Sequence, residues 1–259
     1  MELVTSNGKE VPLSNPIGPK IEKRRLEAKR RLVVVQSVEA LTPRLRRITF
    51  GGEELAGFHS PSPDDHIKVF FKGENDFEMR DYTPRWFDAE KRLLIVDFVL
   101  HEPGIAAAWA QAAKPGDQLQ VGGPRGSAIV SAEGCWWLLV GDETALPSIG
   151  RRLEELKKGT RVISLVSVDG PEEELQLQTS SEHLPIWVHR PMTQAADPAP
   201  FLVALAKIQL PCGPGFVWIA AESGVARAVR EYVVDVLHHP SEWIKASAYW
   251  EHSEGTKGE

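Results

Sequence analysis

From Leu32 to about Val130 one strand-like run of residues follows another. In HIKVFF, Ile67, Val69 and Phe71 share one side of an extended chain, while His66, Lys68 and Phe70 take the other. LVVVQSV, RLRRITF, RLLIVDFVL and QLQVGG are further short β-rich runs, and their regular spacing predicts an antiparallel β-barrel or sandwich. One segment breaks the pattern: Gly104–Ala113 is Ala-rich and predicts a helix. After about Gly134 the grammar changes. WWLLVG, RVISLVSV, LPIWVHR, FVWIAA and the closing IKASAYW read as strands, with helices predicted from Pro147 to Lys158, Pro198 to Leu210 and Val225 to His238. Strands alternating with helices predict a parallel sheet covered on both faces.

The expected organisation is therefore a loose tail over residues 1–20, a β-barrel domain over 21–130, and an α/β nucleotide-type domain over 131–259. Residues 21–31, six of them Lys or Arg, read as a solvated lead-in to the first strand.

Composition narrows the function. With 42% apolar and 25% charged residues in 259, the chain is an ordinary globular sequence rather than a disordered one. A net charge of −6 disfavours nucleic-acid binding, which needs a basic face to neutralise phosphates. Cys135 and Cys212 lie too far apart in sequence for a metal-ligand pair and are too few for a disulfide framework, so no metal site is expected and a reducing compartment fits. The longest apolar runs are six residues, as in Cys135–Val140, too short to span a bilayer. MELVTSNGKEVPL has no apolar signal-peptide core, and the chain reads as cytoplasmic.

Four segments carry candidate chemistry. In Arg80-Asp-Tyr82-Thr83-Pro84-Arg85, Arg80 and Tyr82 have the same parity and point to one face of a strand. Guanidinium, phenol and hydroxyl together suit a flavin nucleotide; an exposed strand ending at a proline is the other reading. Asp97-Phe98-Val99-Leu100-His101 leads into Gly104-Ile-Ala106-Ala107-Ala-Trp109. A helix opening on Gly and Ala leaves its free N–H groups open to a phosphate, and it also suits a plain crossover helix. Gly122-Gly-Pro-Arg125-Gly-Ser is a tight turn holding one arginine at the expected domain junction.

Together with G-D-E-T-A-L-P from Gly141 and the terminal A-Y-W, these motifs resemble, in order and over most of the chain, the siderophore-interacting protein family. Its members are FAD-dependent ferric-siderophore reductases, distantly related to the ferredoxin–NADP reductases. The resemblance implies a two-domain ferredoxin-reductase-like fold. It implies FAD held by Arg80, Tyr82 and Thr83, by the strand carrying Asp97, Phe98, Val99 and His101, and by the helix start at Gly104, Ala106 and Ala107. Trp109 would support that turn and Trp250 would lie near the flavin ring. Three basic residues that bind the ferric chelate in a relative fall on Lys68, Arg125 and Lys245. Lys245 replaces an arginine, keeping the charge without the planar fork.

The electron donor is expected to be NADPH or NADH, with ferredoxin as a further possibility. Asp169 and Glu172, beyond the second parallel strand, oppose a 2′-phosphate and favour NADH, whereas the resemblance implies NADPH. Glu222 and Arg227 fall on family positions near the nicotinamide; they also suit a plain strand end and helix start. Fe(II) binds hard oxygen ligands less tightly than Fe(III), so reduction releases the iron and no acid–base catalytic residue is expected. A flavoprotein reductase with another acceptor and a non-catalytic siderophore- or flavin-binding module are the alternatives.

Overall fold

The computed structural model describes residues 18–73, 76–101 and 104–252. Residues 1–17 of the expected tail lie outside the described residues. The basic stretch expected as a solvated lead-in to the first strand is solvated but itself begins with a strand, β1 (Lys20–Arg25), paired antiparallel with β9 (Gly126–Ser131). All six β1 residues are exposed, so no apolar alternation marks it in the sequence.

Seven strands form the main N-terminal sheet: β2 (Arg30–Thr42), β3 (Leu45–Gly51), β4 (Ile67–Lys72), β5 (Phe77–Tyr82), β6 (Trp86–Asp88), β7 (Leu93–Val99) and β8 (Gln118–Gly122). Their order is β5-β4-β8-β2-β3-β7-β6, and every pairing is antiparallel. Alternation places Val33, Val35, Ile67, Val69 and Phe71 in one core. The sheet curls on itself, bringing the Tyr82 ring of β5 to 4.4 Å from the Phe98 ring of β7. Helix α1 (Ile105–Ala112) plugs the curl: Trp109 lies 5.8–6.3 Å from the rings of Phe98, Phe71 and Phe50.

The second sheet is parallel, in the order β12-β11-β10-β13-β14. It comprises β10 (Trp136–Asp142), β11 (Arg161–Val168), β12 (Glu182–His189), β13 (Gly215–Glu222) and β14 (Ile244–Trp250). Every residue of β10 and β13 is buried, because helices cover both faces. Helix α2 (Leu146–Glu155) packs on the side of Trp137 and Leu139. Helices α3 (Ala199–Leu205) and α4 (Ser223–Asp235) pack on the side of Leu138 and Val140. Gly141 permits the tight exit from β10, since a Cβ there would sit 2.4 Å from the Ala145 methyl and 2.7 Å from the Ala220 carbonyl oxygen.

Helix ends depart from the sequence reading. Helix α3 stops at Leu205 rather than near Leu210, because Lys207 and Ile208 donate three residues back and tighten the chain ahead of Pro211. Helix α2 ends at Glu155, and α4 runs from Ser223 to Asp235 with the Glu222 carboxylate as its N-cap.

The two sheets are joined by polar contacts. Arg151 of α2, buried, donates to the Ser60 hydroxyl at 2.9 Å, the Ser60 carbonyl at 2.6 Å and the Pro84 carbonyl at 3.1 Å. Arg85 forks onto Glu154, and the Thr42 hydroxyl donates to Glu173.

Candidate functional site

The end of β5 brings the first motif to the seam between the sheets. Tyr82 and Arg80 stand opposite Ile67 and Val69 on one side of the strand, Tyr82 half-buried and Arg80 exposed. Burial of the Tyr82 phenol lifts its pKa well above the usual tyrosine range. Thr83 is buried, and its hydroxyl shares a 3.0 Å hydrogen bond with Ser148 in the first turn of α2; Ser148 shares a 2.9 Å bond with the Tyr249 hydroxyl on β14. Three hydroxyls from three elements thus form one chain across the seam. Beside it the Trp250 indole N–H donates to Asp142 at 2.9 Å.

Arg80 donates to Glu78 at 2.8 Å and to the Met79 carbonyl at 2.9 Å. His101 lies near it: burial, then the Arg80 charge, hold the imidazole below its ordinary range and neutral at pH 7. Gly104 caps α1 without any side chain, and a Cβ there would be 3.3 Å from the His101 ring. Among the described residues nothing accepts from the N–H groups of Ile105, Ala106 and Ala107. Ala106 and Ala107 are buried and carry only methyl groups. The arrangement fits a phosphate group: free N–H donors, the positive end of a helix, and Arg80 close by.

The remaining positions of these two motifs carry their side chains elsewhere. Phe98 is fully buried in the barrel core, and Trp109, expected to support the turn, anchors α1 in the aromatic cluster. Asp97 is buried and takes two 2.7 Å bonds from Arg47, with Arg85 at 3.9 Å. Of that strand, half-buried Val99 and the backbone remain for a ligand.

The three basic positions are not equivalent. Lys68 pairs across the strands with Asp81 at 2.6 Å, both about two-fifths exposed. Arg125 is exposed and, among the described residues, has no carboxylate partner. Lys245 is bound by the carboxylate of Asp64, which also accepts from the Trp218 indole at 3.1 Å and the Ser62 hydroxyl at 2.6 Å. Burial alone would raise the Asp64 carboxyl, but the Lys245 ammonium and these donors bring it below the usual aspartate range.

The carboxyl ends of the parallel strands are crowded with acids already engaged. Asp142 accepts from the Thr144 N–H at 2.9 Å and the Glu222 N–H at 3.0 Å, besides Trp250. Glu222 accepts from the N–H groups of Gly224, Val225 and His252. Glu143 pairs at 2.9 Å with fully buried Arg190, and Asp169 with Arg44 at 3.1 Å. Arg227 is exposed near the start of α4. Sequence reasoning missed Ser148, Arg151 and Asp64. Only the turn following Gly141 signalled this region, and it gave no partners.

Two sequence profiles match in tandem: the siderophore-interacting FAD-binding domain over residues 34–78 and 72–128, and the siderophore-interacting protein over 135–253. The chain is 33% identical to the NADPH-dependent ferric-chelate reductase of Escherichia coli over 243 residues, covering 85% of this chain and 92% of that protein. A siderophore utilization protein from T. fusca superposes with a TM-score of 0.84 at 31% identity, covering 92% of this chain and 98% of the other. The ferredoxin reductase in carbazole 1,9a-dioxygenase shares the fold at 13% identity and a TM-score of 0.64, over 87% of this chain and 68% of its own. Among the described residues no helix is long and apolar enough to cross a membrane. An antiparallel flavin-type sheet, a parallel nucleotide-type sheet and the family's motifs at their seam all agree, and the chain belongs to the siderophore-interacting protein family.

Proposed function

We propose that this protein is a FAD-dependent ferric-siderophore reductase that releases iron by reducing Fe(III) in a bound chelate to Fe(II). The observation that carries the reading is the seam itself. An uncapped helix start at Gly104 lies near Arg80 on the strand that leads to Tyr82 and Thr83, and Tyr249 of the other sheet reaches Thr83 through Ser148. In this reading residues 21–130 hold the flavin and 131–259 complete its pocket and receive the electron donor.

FAD, when bound, supplies the electron transfer, since no side chain of the seam is itself redox-active. The chain's residues bind and orient. The N–H groups of Ile105, Ala106 and Ala107 with Arg80 hold the pyrophosphate, and His101, neutral, donates or accepts without adding charge. Tyr82, packed on Phe98, supplies a fixed apolar wall for the ring system. The chain Thr83–Ser148–Tyr249 fixes the two sheets around it. Lys68 and Arg125 draw an anionic chelate to the barrel rim, against the net negative field of the protein.

NADPH is the donor in this reading, as in the name of the E. coli relative. Of the two acids that argued for NADH, Asp169 is bonded to Arg44 and accepts from the Met192 N–H at 2.9 Å, which leaves only Glu172 against a 2′-phosphate. The start of α4 has no place for a dinucleotide phosphate, because Glu222 already caps it, and Asp142 caps the short turn that leads into α2, so exposed Arg227 is the cation assigned to the phosphates. The test is anaerobic absorbance of the yellow protein with each nucleotide. Bleaching by NADPH faster than by NADH supports the assignment, and bleaching by neither makes a reduced ferredoxin the donor to test next.

A further inference from the structure

The reductase reading needs a cluster of cations for an anionic chelate, and one of the three positions has its charge committed. Lys245 is one-fifth exposed and bound to an Asp64 side chain that is only 4% exposed, so its ammonium serves the joint between the sheets. The solvent face of the barrel offers another cation.

Strand register places Arg30 of β2 opposite Gly122 of β8, and Gly122 opposite Lys68 of β4. Residues directly opposed in a sheet share a face, so Arg30 and Lys68 stand on the same side, about 10 Å apart at two strand spacings. Gly122 puts no side chain of its own between them. The turn following Gly122 carries Arg125, and it is fastened to the segment around Arg30: the Gly123 N–H donates to the Lys29 carbonyl at 3.1 Å, and the Leu26 N–H to the Arg125 carbonyl at 2.9 Å.

The Arg30 guanidinium is held in place by aromatic rings, 3.9 Å above the Phe70 centroid and 5.3 Å from that of Phe77. Phe70 can lie across the sheet because residue 122 is glycine; a Cβ there would come within 3.1 Å of the ring. Among the described residues neither Arg30 nor Arg125 has a carboxylate within ion-pair distance. The Lys68–Asp81 pair is exposed and cheap to open.

We propose that Arg30, propped by Phe70, is the third cation of the chelate site together with Lys68 and Arg125, and that Lys245 is not one of the three. This rests on the reductase reading.

The test uses FAD-loaded protein and redox-inert gallium(III) chelates, so that binding is read without turnover. A trianionic gallium tris-catecholate and a neutral gallium trihydroxamate are titrated by tryptophan fluorescence at low salt. Arg30→Gln is expected to raise Kd for the trianion about tenfold, the size of one charge-assisted contact, and to flatten its salt dependence. The neutral chelate is expected to change less than about twofold, and Phe70→Leu to reproduce a smaller part of the same selective loss. Lys245→Gln is expected to lower Tm and to shift both affinities alike. Trianion affinity retained in Arg30→Gln, or lost equally for both chelates, would overturn the assignment while the reductase reading stands. A wild-type protein that binds neither chelate would overturn both.

Discussion

The ammonium of Lys245, on the last strand of the parallel sheet, is held by the carboxylate of Asp64, in the loop ahead of β4 in the other sheet. One carboxylate therefore collects an ammonium, the Trp218 indole and the Ser62 hydroxyl, and fastens β13 and β14 to the barrel. A buried pair of this kind costs heavily when one partner is deleted, because the other is left charged and dry.

Lys245→Ala is expected to destabilise the protein by about 3 kcal/mol in urea unfolding, since Asp64 keeps its charge in a buried site. The pH dependence follows from the depressed Asp64 carboxyl. Its folded pKa lies below the 3.8 of an unperturbed aspartate, so the unfolded chain takes up that proton first on acidification. The stability contributed by Asp64 is present in full above pH 3.8 and is lost as pH falls through the folded value. A Tm difference between wild type and Asp64→Asn that stays constant from pH 7 to pH 5 and narrows only in stronger acid is the expected pattern. A difference that closes near neutrality would assign the effect to another group.

Ser148→Ala should break both bonds of the hydroxyl chain at once, leaving buried Thr83 without its partner at a cost of about 1–3 kcal/mol. Because Thr83, Ser148 and Tyr249 act as one unit, Ser148→Ala combined with Tyr249→Phe should cost less than the two single changes added together. Additive losses in a double-mutant cycle would show that the hydroxyls act independently.

Gly104→Asp tests the phosphate cradle without threatening the fold. Aspartate is a favourable N-cap, so thermal stability should hold or rise. Its carboxylate would occupy the free N–H groups of α1 and repel a pyrophosphate. The variant is expected to purify colourless, and retention of FAD at wild-type stoichiometry would move the pyrophosphate away from α1.

Much of this was legible in the sequence because the two sheets write different patterns. Alternation in Ile67, Val69 and Phe71 marks a sheet with one wet face, whereas the unbroken WWLLVG of β10 marks strands covered on both sides. Strand β1 left no such mark, because all six of its side chains are in solvent. The site motifs were legible through their order along the chain, and their partners were not. Asp64 and Lys245 are 181 residues apart, Thr83 and Ser148 are 65 apart, and no local spacing announces either pair. Phe98 and Trp109 illustrate the opposite limit. Both sit in ligand-like motifs; Phe98 lies wholly in the barrel core, and half-buried Trp109 on α1 packs against it.

The central claim is that electrons pass from the bound flavin to iron in a chelate, and one anaerobic titration tests it independently of the donor. The FAD-loaded protein is reduced with one equivalent of dithionite, ferric tris-catecholate is added, and Fe(II) is trapped with a chromogenic chelator. The account predicts that the flavin absorbance returns as two equivalents of Fe(II) appear for each flavin. A flavin that stays bleached, with no Fe(II) trapped, would contradict it.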